Sequence, residues 1–484
     1  MLSSLIFIPL LGSLAILLVP REQDRTVKWV GTIFGLIPLL IVAYLWGQYS
    51  YSAQGMQFVE HYDWIPSLGI SYYLGTDGLS FPMVILTALI SFLAILASWN
   101  IKNRVKDYFF LMLLLETGMM GVFVALDYVL FYVFWELVLV PMYFLIGIWG
   151  GPRREYAAIK FFLYTLIGSV IMLVGILALY FNAGLNTFDM LALAKHKFAP
   201  AFQFWVFLAL FFGFAVKVPV FPFHTWLPDA HVEAPTAVSA ILAGVLLKMG
   251  TYGFLRVSHP TLPEAAKALA VPIAILGLIN IIYGALAAMA QKDLKKLVAY
   301  SSISHMGFTL LGLAAMTPVA IQGAAFQMFS HGLISAMLFL LVGMIYDRAH
   351  TREIAKLGGL FNTIPTIAVI LAFASFASLG LPGLSGFVAE FLVFLGSFGA
   401  YRTFVIIATS GVVFTAGYYL WMIQRVLMGE AKKEYLGLPD ITARELGTVV
   451  PLMIFTTLLG LFPSLLMDIM NPAILGLVAK VGGM

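Results

Sequence analysis

Residues 213–235, GFAVKVPVFPFHTWLPDAHVEAP, directly follow the apolar run FQFWVFLALFF at 202–212. The run has the composition of a membrane helix, yet Lys217 then introduces a charge, and Pro219 and Pro222 each remove a backbone hydrogen bond. A charged side chain in lipid is unfavourable by several kcal/mol unless it is paired or hydrated. A segment that breaks two rules of membrane-helix sequence at once is typical of a functional site.

The composition of the whole chain places this segment in a polytopic membrane protein. Of its 484 residues 62% are hydrophobic and only 10% are charged, with a mean hydropathy of +0.99. A soluble protein carries about 25% charged residues, so this chain lacks the polar surface of a water-soluble body. The segment MLSSLIFIPLLGSLAILLVP lacks the charged n-region and the small-residue cleavage site of a signal peptide, and we expect it to remain as the first membrane helix.

Several kinds of chemistry are excluded within this chain. It has no cysteine, which rules out disulfides and cysteine-ligated iron–sulfur clusters. It has no GxxxxGK[ST] loop and no GxGxxG motif, so no nucleotide site is indicated. The net charge of +4 comes from residues in loops and does not indicate nucleic-acid binding.

Hydrophobic segments of about 20 residues, the length that crosses roughly 30 Å of hydrocarbon, predict about fourteen spans. They are 2–19, 27–47, 79–99, 107–126, 128–149, 157–181, 203–223, 236–256, 268–290, 300–315, 320–345, 366–398, 403–427 and 447–468. The span 366–398 is too long for one crossing, and SLGLPGLSG at 378–386 should break it into two half-helices. Eighteen lysines and arginines fall in one set of alternate loops and six, including Arg256, in the other set and the C-terminal tail. The positive-inside rule therefore places both termini outside.

The two broken spans suggest an internal repeat. Each is the fourth span of a five-span block, 107–256 and 268–427, and an odd number of crossings inverts the second block. Residues 1–106 then hold the first three helices, and 428–484 hold a loop and the last helix. Pro219, Pro222 and Pro382 should leave the carbonyls of Ala215, Val218 and Ser378 without helical partners, and only a wet cavity or polar side chains can satisfy them.

Ionisable residues inside the spans are the candidate functional residues, because such groups mark ion pathways. They are Glu116, Glu136, Lys160, Lys217, Lys248, His305, His331 and Glu390. Each side chain can alternatively serve packing alone, and snorkelling explains Lys160 at its helix end better. Glu116 can simply support Glu136, and either histidine can be an ordinary core residue.

A proton relay at mid-membrane depth is expected from six of these residues: Glu136, Lys217, Lys248, His305, His331 and Glu390. Burial disfavours the charged forms of glutamate and lysine, whereas a nearby opposite charge favours them. A Glu136–Lys217 pair could therefore alternate between paired and separated states, and Lys217 would release its proton when separated. Lys248, His305 and His331 would pass the proton on, since imidazole can accept at one nitrogen and donate at the other. Glu390 would be the terminus on the exit side.

One further cluster has metal-ligand residue types: His224, Asp229, His231 and Glu233. Pro228 and Pro235 instead indicate a loop leading into the next helix, where proline fits near the first turn. We therefore expect no metal here.

Four ordered motifs resemble the antiporter-like subunits of respiratory complex I. They are FWELVLVPMYFLIGIWGG, KVPVFPFHTWLPDAHVEAPTAVSAILAGVLLKMGTYGFLR, QKDLKKLVAYSSISHMGF and ASLGLPGLSGFVAEFLVFLG. The resemblance covers essentially the whole chain. Among the paralogous subunits it is similar to the chain M, or subunit 4, type, because the chain L type is expected to carry lysine at the position of Glu390. The lack of a long lateral helix after residue 468 also disfavours the chain L type.

The resemblance implies an all-α membrane protein with fourteen core helices and two inverted five-helix repeats. It implies Glu136 and Lys217 as an interacting pair, Lys248 as the central lysine and Glu390 as the terminal carboxylate. It also implies proton pumping beside adjacent chains L and N in a bacterial inner membrane. Partner subunits would carry FMN and iron–sulfur clusters and would handle NADH and quinone. Multisubunit cation/proton antiporters, ferredoxin- or hydrogenase-linked relatives, and a subunit that only packs helices remain alternatives.

Overall fold

A computed structural model describes residues 1–482, which are mostly helical. The seventeen main helices in this part of the chain are α1 (Leu2–Leu18), α2 (Asp24–Gln48), α3 (Phe81–Ala97), α4 (Val105–Val124), α5 (Tyr128–Trp149), α6 (Arg154–Ala183), α7 (Pro200–Lys217), α8 (Trp226–Glu233), α9 (Thr236–Thr261), α10 (Ala270–Met289), α11 (Leu294–Ala315), α12 (Pro318–Ala349), α13 (Pro365–Ser378), α14 (Ser385–Phe398), α15 (Arg402–Val426), α16 (Ala443–Leu461) and α17 (Ser464–Val481). Short turns of helix lie at Pro66–Leu68, Ser98–Asn100, Met190–Leu193, Pro263–Ala268, Ile354–Lys356, Leu360–Thr363 and Lys433–Tyr435.

The helices confirm a polytopic membrane protein. Within residues 1–482, thirteen helices have the length and apolar composition to cross a membrane. The exceptions among the predicted spans are α1, which has 17 residues, and the pair α13 and α14, which have 14 residues each. α9, α11 and α12 are almost fully buried by other helices and form the centre of the protein.

Both predicted breaks are present. α7 ends at Lys217, and irregular backbone follows before α8 begins at Trp226. α13 ends at Ser378, and α14 begins at Ser385, so the predicted break at 378–386 is confirmed. Gly380 and Gly383 both have positive φ in this break, a conformation that favours glycine.

The C-terminal region differs from the prediction. The expected last span 447–468 is divided, because α16 ends at Leu461 and α17 follows after Pro463. The contacts of α17 come from one side of the protein: Gln322 donates to the Met467 carbonyl, Gly78 packs against the Ile469 backbone, and Gly482 lies near Lys267. Since these neighbours all lie at predicted outer ends of helices, we place α17 along the outer face, which leaves fourteen crossings.

A two-stranded antiparallel hairpin was not predicted. β1 (Gln57–Ile65) pairs with β2 (Ile70–Thr76), with Tyr62 opposite Tyr72. It lies between α2 and α3 at the outer face, where the last residues of β2 are buried against the helices. Nothing in the architecture tests the proposed blocks 107–256 and 268–427, so the inverted repeat stays a prediction, and the C-terminal segment 428–484 extends past the described residues.

Candidate functional site

Helix α9 carries Lys248 near its middle, between two π turns at Leu242–Leu246 and Phe254–Ser258. A π turn changes the backbone hydrogen bonding of a helix and occurs often at functional sites. Here the Lys248 ammonium donates to the carbonyl of Ala243 within the first π turn. The lysine side chain is fully buried, so this carbonyl replaces part of its lost hydration.

Two glycines bring α9 and α12 together beside Lys248. A Cβ atom on Gly332 would lie 2.8 Å from the carbonyl oxygen of Gly244, so any larger side chain would separate the helices. The close approach puts the Lys248 Nζ atom 2.7 Å from Nδ1 of His331. The ammonium can donate to this nitrogen, and the distance suits direct proton transfer.

His305 of α11 follows His331 in space, with the two ring centroids 5.4 Å apart. Its Nδ1 is 2.6 Å from the Ser301 carbonyl oxygen and its Nε2 is 2.8 Å from the Ser378 carbonyl oxygen. Carbonyls only accept hydrogen bonds, so a ring nitrogen must carry a proton whenever it bonds one of these carbonyls. The Ser378 carbonyl is the group that Pro382 was predicted to free, and a polar side chain satisfies it as expected.

Glu390 of α14 completes the row. Its Oε1 atom lies 3.4 Å from Nε2 of His305, and both side chains are buried. Gly380 leaves room for the carboxylate, since a Cβ there would be 3.2 Å from Oε2. The structure therefore arranges the predicted residues in the order Lys248, His331, His305, Glu390.

Lys217 and Glu136 are near each other but are not paired. Trp135, which contacts Lys217, is the residue before Glu136, yet no ion pair within 4.0 Å involves either side chain in the described part of the chain. The Lys217 ammonium instead lies 5.5 Å from the ring centre of Trp135 and 5.6 Å from that of Phe161. This geometry corresponds to the separated state of the predicted switch, and the paired state stays a prediction.

Lys217 is connected to Lys248 through the packing of α7 on α9. A Cβ on Gly250 would lie 3.0 Å from the Cβ of Lys217, so the lysine backbone passes within two residues of Lys248. Beyond Lys217, Val220 donates to the Ala215 carbonyl over 2.8 Å, and the Trp226 indole donates to the Val216 carbonyl over 2.9 Å. The Ala215 carbonyl, which Pro219 was predicted to free, therefore has a partner within the break, and the Val216 carbonyl is bonded by the first residue of α8.

Asn280 of α10 is a site residue that sequence reasoning missed. Its amide oxygen accepts from the Phe221 N–H over 2.8 Å, and its amide nitrogen donates to the Pro219 carbonyl over 3.2 Å. This buried side chain therefore satisfies one backbone group on each side of Val220. An isolated asparagine in the apolar segment 270–289 was the available signal, since a buried amide needs partners.

Two other missed residues lie around the end of the row. The Tyr419 hydroxyl donates to the Ser301 hydroxyl over 3.1 Å and accepts from the Ser378 hydroxyl over 2.9 Å. The backbone carbonyls of the same two serines hold His305. Gln327 of α12 is buried, and its Oε1 atom has no partner within residues 1–482. The contacts of Gly323 with Val393 and of Ser330 with Ser385 put Gln327 at the level of Ala389, beside Glu390.

Glu116 lies apart from the row. Its carboxylate is 3.7 Å from where a Cβ on Gly35 would be, among α2, α3 and α4. Neither oxygen has a hydrogen-bond partner in the described residues, and the side chain is fully buried. No hydrogen bond in the described residues joins Glu116 to Glu136, the residue that it was considered as a possible support for.

The residues considered for a metal lie in α8 or just before it, not in the predicted loop, and they are held in other ways. Asp229 pairs with Lys160 at 2.7 Å, so the Lys160 ammonium has an acidic partner. Glu233 accepts from the Arg153 backbone at 3.0 Å, and His224 lies 3.1 Å from the Tyr283 hydroxyl. His231 stacks on Phe339 with ring centres 4.4 Å apart. In residues 1–482 no cluster of histidine and acidic side chains has the arrangement of a metal site.

Comparison with known proteins matches two families. Residues 125–415, more than half of the chain, match the family described as NADH:quinone oxidoreductase/Mrp antiporter, TM. Residues 27–121 match NADH-ubiquinone oxidoreductase chain 4, amino terminus. The chain is similar to NADH-quinone oxidoreductase subunit M of Rhodobacter capsulatus, with 47% identity covering 99% of this chain and 96% of the relative.

Solved structures share the fold over its full length. A chain of respiratory complex I from Thermus thermophilus with bound NADH superposes with a TM-score of 0.92 at 32% identity, covering 100% of both chains. A chain of the Mrp complex from Dietzia sp. DQ12-45-1b superposes with a TM-score of 0.86 at 21% identity, covering 99% of this chain and 98% of the other. The second similarity concerns the fold alone.

Proposed function

Because this chain belongs to the NADH:quinone oxidoreductase/Mrp antiporter family of membrane subunits, we propose that it translocates protons in the membrane arm of an NADH:quinone oxidoreductase. The match of residues 27–121 to the chain 4 family favours the chain M, or subunit 4, type. The 32% identity with a complex I chain, against 21% with an Mrp chain, favours the oxidoreductase over the antiporter.

The observation that carries this proposal is the buried row from Lys248 to Glu390. Packing alone would place leucine at such positions, since an ionisable group in hydrocarbon is unfavourable by several kcal/mol. Each neighbour in the row is a group that can hold a proton, and the contacts of 2.7 and 3.4 Å allow exchange at two of the three steps. Transfer between the histidines requires a ring rotation or a bridging water. In the described part of the chain the ring centroids are 5.4 Å apart, and no hydrogen bond joins the two rings.

The stations take the following roles in this proposal. Glu136 controls whether Lys217 holds its proton, and Lys217 passes it to Lys248. His331 and His305 carry it onward, and Glu390 releases it to the outer side, assisted by Gln327. Glu116 has no neighbour in the row and serves at most as an accessory group.

Uptake from the cytoplasm is supported by a cavity of about 350 Å³ at the predicted inner face. Glu233, Lys295 and Arg352 line it. His231 directly precedes Val232, which lines this cavity, and its buried ring stacks on Phe339. This titratable ring is the candidate group through which a proton would pass from the cavity toward Lys248.

The remaining parts of the reaction belong to partner subunits. We propose that FMN and iron–sulfur clusters in those subunits oxidise NADH and reduce quinone, and that adjacent antiporter-like chains L and N flank this chain. The assembly would lie in the bacterial inner membrane. Within this chain, blocks 107–256 and 268–427 would be the inverted repeats that hold the two broken helices.

The test is an optical, metal and flavin analysis of the native assembly, purified in mild detergent through a tag on this chain. Flavin together with many iron–sulfur clusters and NADH-driven quinone reduction is the expected result. Iron–sulfur clusters without flavin would indicate a ferredoxin-type donor, and nickel would indicate a hydrogenase. An assembly that carries no redox centre would contradict the proposal and favour a cation/proton antiporter.

A further inference from the structure

A second polar feature extends from Lys248 toward the outer face. Lys248, Tyr252 and Arg256 are spaced four residues apart on α9, so they lie on one side of the helix. The Arg256 guanidinium pairs with Asp77, which precedes α3, and its Nε donates to the Tyr252 hydroxyl over 3.1 Å. The Tyr252 hydroxyl in turn donates to the Phe123 carbonyl over 3.1 Å.

The ion pair is buried, and each of its groups makes further hydrogen bonds. The side chains of Arg256 and Asp77 are only 8% and 10% exposed. The Asp77 carboxylate also accepts from the backbone N–H groups of Leu79 and Ser80, at 3.0 and 3.1 Å. Arg256 was predicted to lie at the outer end of the span 236–256, whereas it lies inside α9, which continues to Thr261.

The pair separates Lys248 from the outer solution. Arg256 lies eight residues from Lys248, about 12 Å along the helix. On its other side is a cavity of about 430 Å³ at the outer face, lined by Asp77, Tyr49 and residues of α17. Polar side chains on one side of α9 thus lead from the central lysine toward this cavity. The ion pair lies between the lysine and the cavity.

We propose that the Arg256–Asp77 pair is an electrostatic seal that prevents protons from reaching Lys248 directly from the outer face. A fixed arginine charge in a narrow polar path repels protons and other cations. Asp77 holds the guanidinium in place and Tyr252 fills the space beside it. Protons would then leave only through Glu390. This inference rests on the proposed function, because it assumes that Lys248 carries protons.

A role in stability alone makes a different prediction. Replacing a buried ion pair by neutral groups of similar volume is often tolerated, so a helix clamp would change thermal stability without changing proton permeability. The seal predicts that passive permeability rises. The two roles are therefore separated by measuring proton flux in the absence of turnover.

The experiment uses the whole complex, purified through a tag on this chain and reconstituted into liposomes that contain a pH-sensitive dye. Proton influx is driven by a potassium diffusion potential without NADH. We expect the double variant Arg256→Gln/Asp77→Asn, which leaves no unpaired buried charge, to leak several-fold faster than the native complex. Arg256→Lys keeps the positive charge and should stay tight. Arg348→Gln, which breaks a buried pair with Glu445 at the opposite face, is the matched control and should also stay tight.

A double variant that assembles and stays as tight as the native complex would overturn the seal. If it does not assemble, Tyr252→Phe and Asp77→Asn decide, since loss of either support should raise the leak, and two tight complexes would equally overturn it. Adding Lys248→Met to the leaking variant should abolish the leak, and a persistent leak would contradict the route through Lys248. Failure of the proposed function is seen separately, as normal NADH-driven pumping by Lys248→Met alone.

Discussion

Single side chains at mid-membrane depth define the chemistry of this chain. Lys248 and His331 share a hydrogen bond of 2.7 Å, and His305 and Glu390 approach within 3.4 Å, each on a different helix. Each residue was recognisable in the sequence because ionisable groups are rare in apolar segments. Their order in space was not, since it depends on which helix faces pack together.

At this scale Glu390→Gln tests the end of the row. The amide keeps the shape of the side chain but cannot carry a proton, so NADH-driven proton translocation should fall by about tenfold or more. Assembly and the binding of His305 to the Ser378 carbonyl should persist. The measurement is the ratio of proton uptake by inverted vesicles to NADH oxidised, and an unchanged ratio would exclude Glu390 from the pathway.

Lys217→Ala tests the residue that is proposed to pass its proton to the row. Alanine removes the ammonium beside Trp135 and Phe161, so coupled translocation should drop strongly while the complex still assembles. Lys106→Ala is the control, because Lys106 only donates to the carbonyls of Leu17 and Val19 at the end of α1. Native pumping by assembled Lys217→Ala complexes would contradict the relay.

At the scale of helices, the two helix breaks are the main features of the fold. The proline and glycine residues of 378–386 correctly predicted where α13 would end. The sequence did not reveal which side chain satisfies the break after α7, because that side chain is remote along the chain. It is Asn280, which lies about 60 residues further on. The predicted last span 447–468 ran across the short connection after α16 into the first turn of α17, and the rest of α17 was not predicted as a helix.

Asn280→Leu should destabilise the break after α7. It would leave the Phe221 N–H and the Pro219 carbonyl unpaired, and each buried unpaired group is unfavourable by about 1–3 kcal/mol. The melting temperature of the purified complex should fall, and pumping should fall with it. Asn362→Ala removes an exposed bond to the Gly429 carbonyl and should leave both quantities near native values, while a stable Asn280→Leu complex would show that water replaces the amide.

Two glycines of α16 provide a matched pair for the second break. A Cβ on Gly460 would lie 2.2 Å from the Gly383 carbonyl oxygen, whereas a Cβ on Gly447 would meet no atom within 4 Å. Gly460→Ala should therefore destabilise the complex by about 1–3 kcal/mol, and Gly447→Ala should be neutral or stabilise the helix by up to about 1 kcal/mol. Equal melting temperatures for the two variants would show that α16 does not fix the position of the break.

At the scale of the molecule, the orientation in the membrane follows from charge alone. The eighteen basic residues of one set of loops against six in the other put 428–442 in the cytoplasm and the loop before β1 outside. The core architecture was therefore predictable from hydropathy. The hairpin was not, because its strands of 9 and 7 residues are partly polar and much shorter than the segments of about 20 apolar residues that mark membrane spans.

Cysteine labelling can test this orientation directly, since the native chain has no cysteine. Ser52→Cys and Glu434→Cys place single thiols at exposed positions of the two faces. In right-side-out vesicles a membrane-impermeant maleimide should label the first and not the second. The opposite pattern would reverse every assignment of uptake and release.

The position of the polar row has a consequence for energetics. Lys248, His331 and His305 each lie near the middle of a helix long and apolar enough to cross the membrane, which puts them at a similar depth. The row therefore runs parallel to the plane of the bilayer. Transmembrane voltage, which changes the energy of one charge by about 2.3 kcal/mol per 100 mV, does almost no work on a proton moving sideways along it. The voltage acts on the vertical steps of uptake and release, so these are the steps that a charged membrane slows and that the redox reaction must drive.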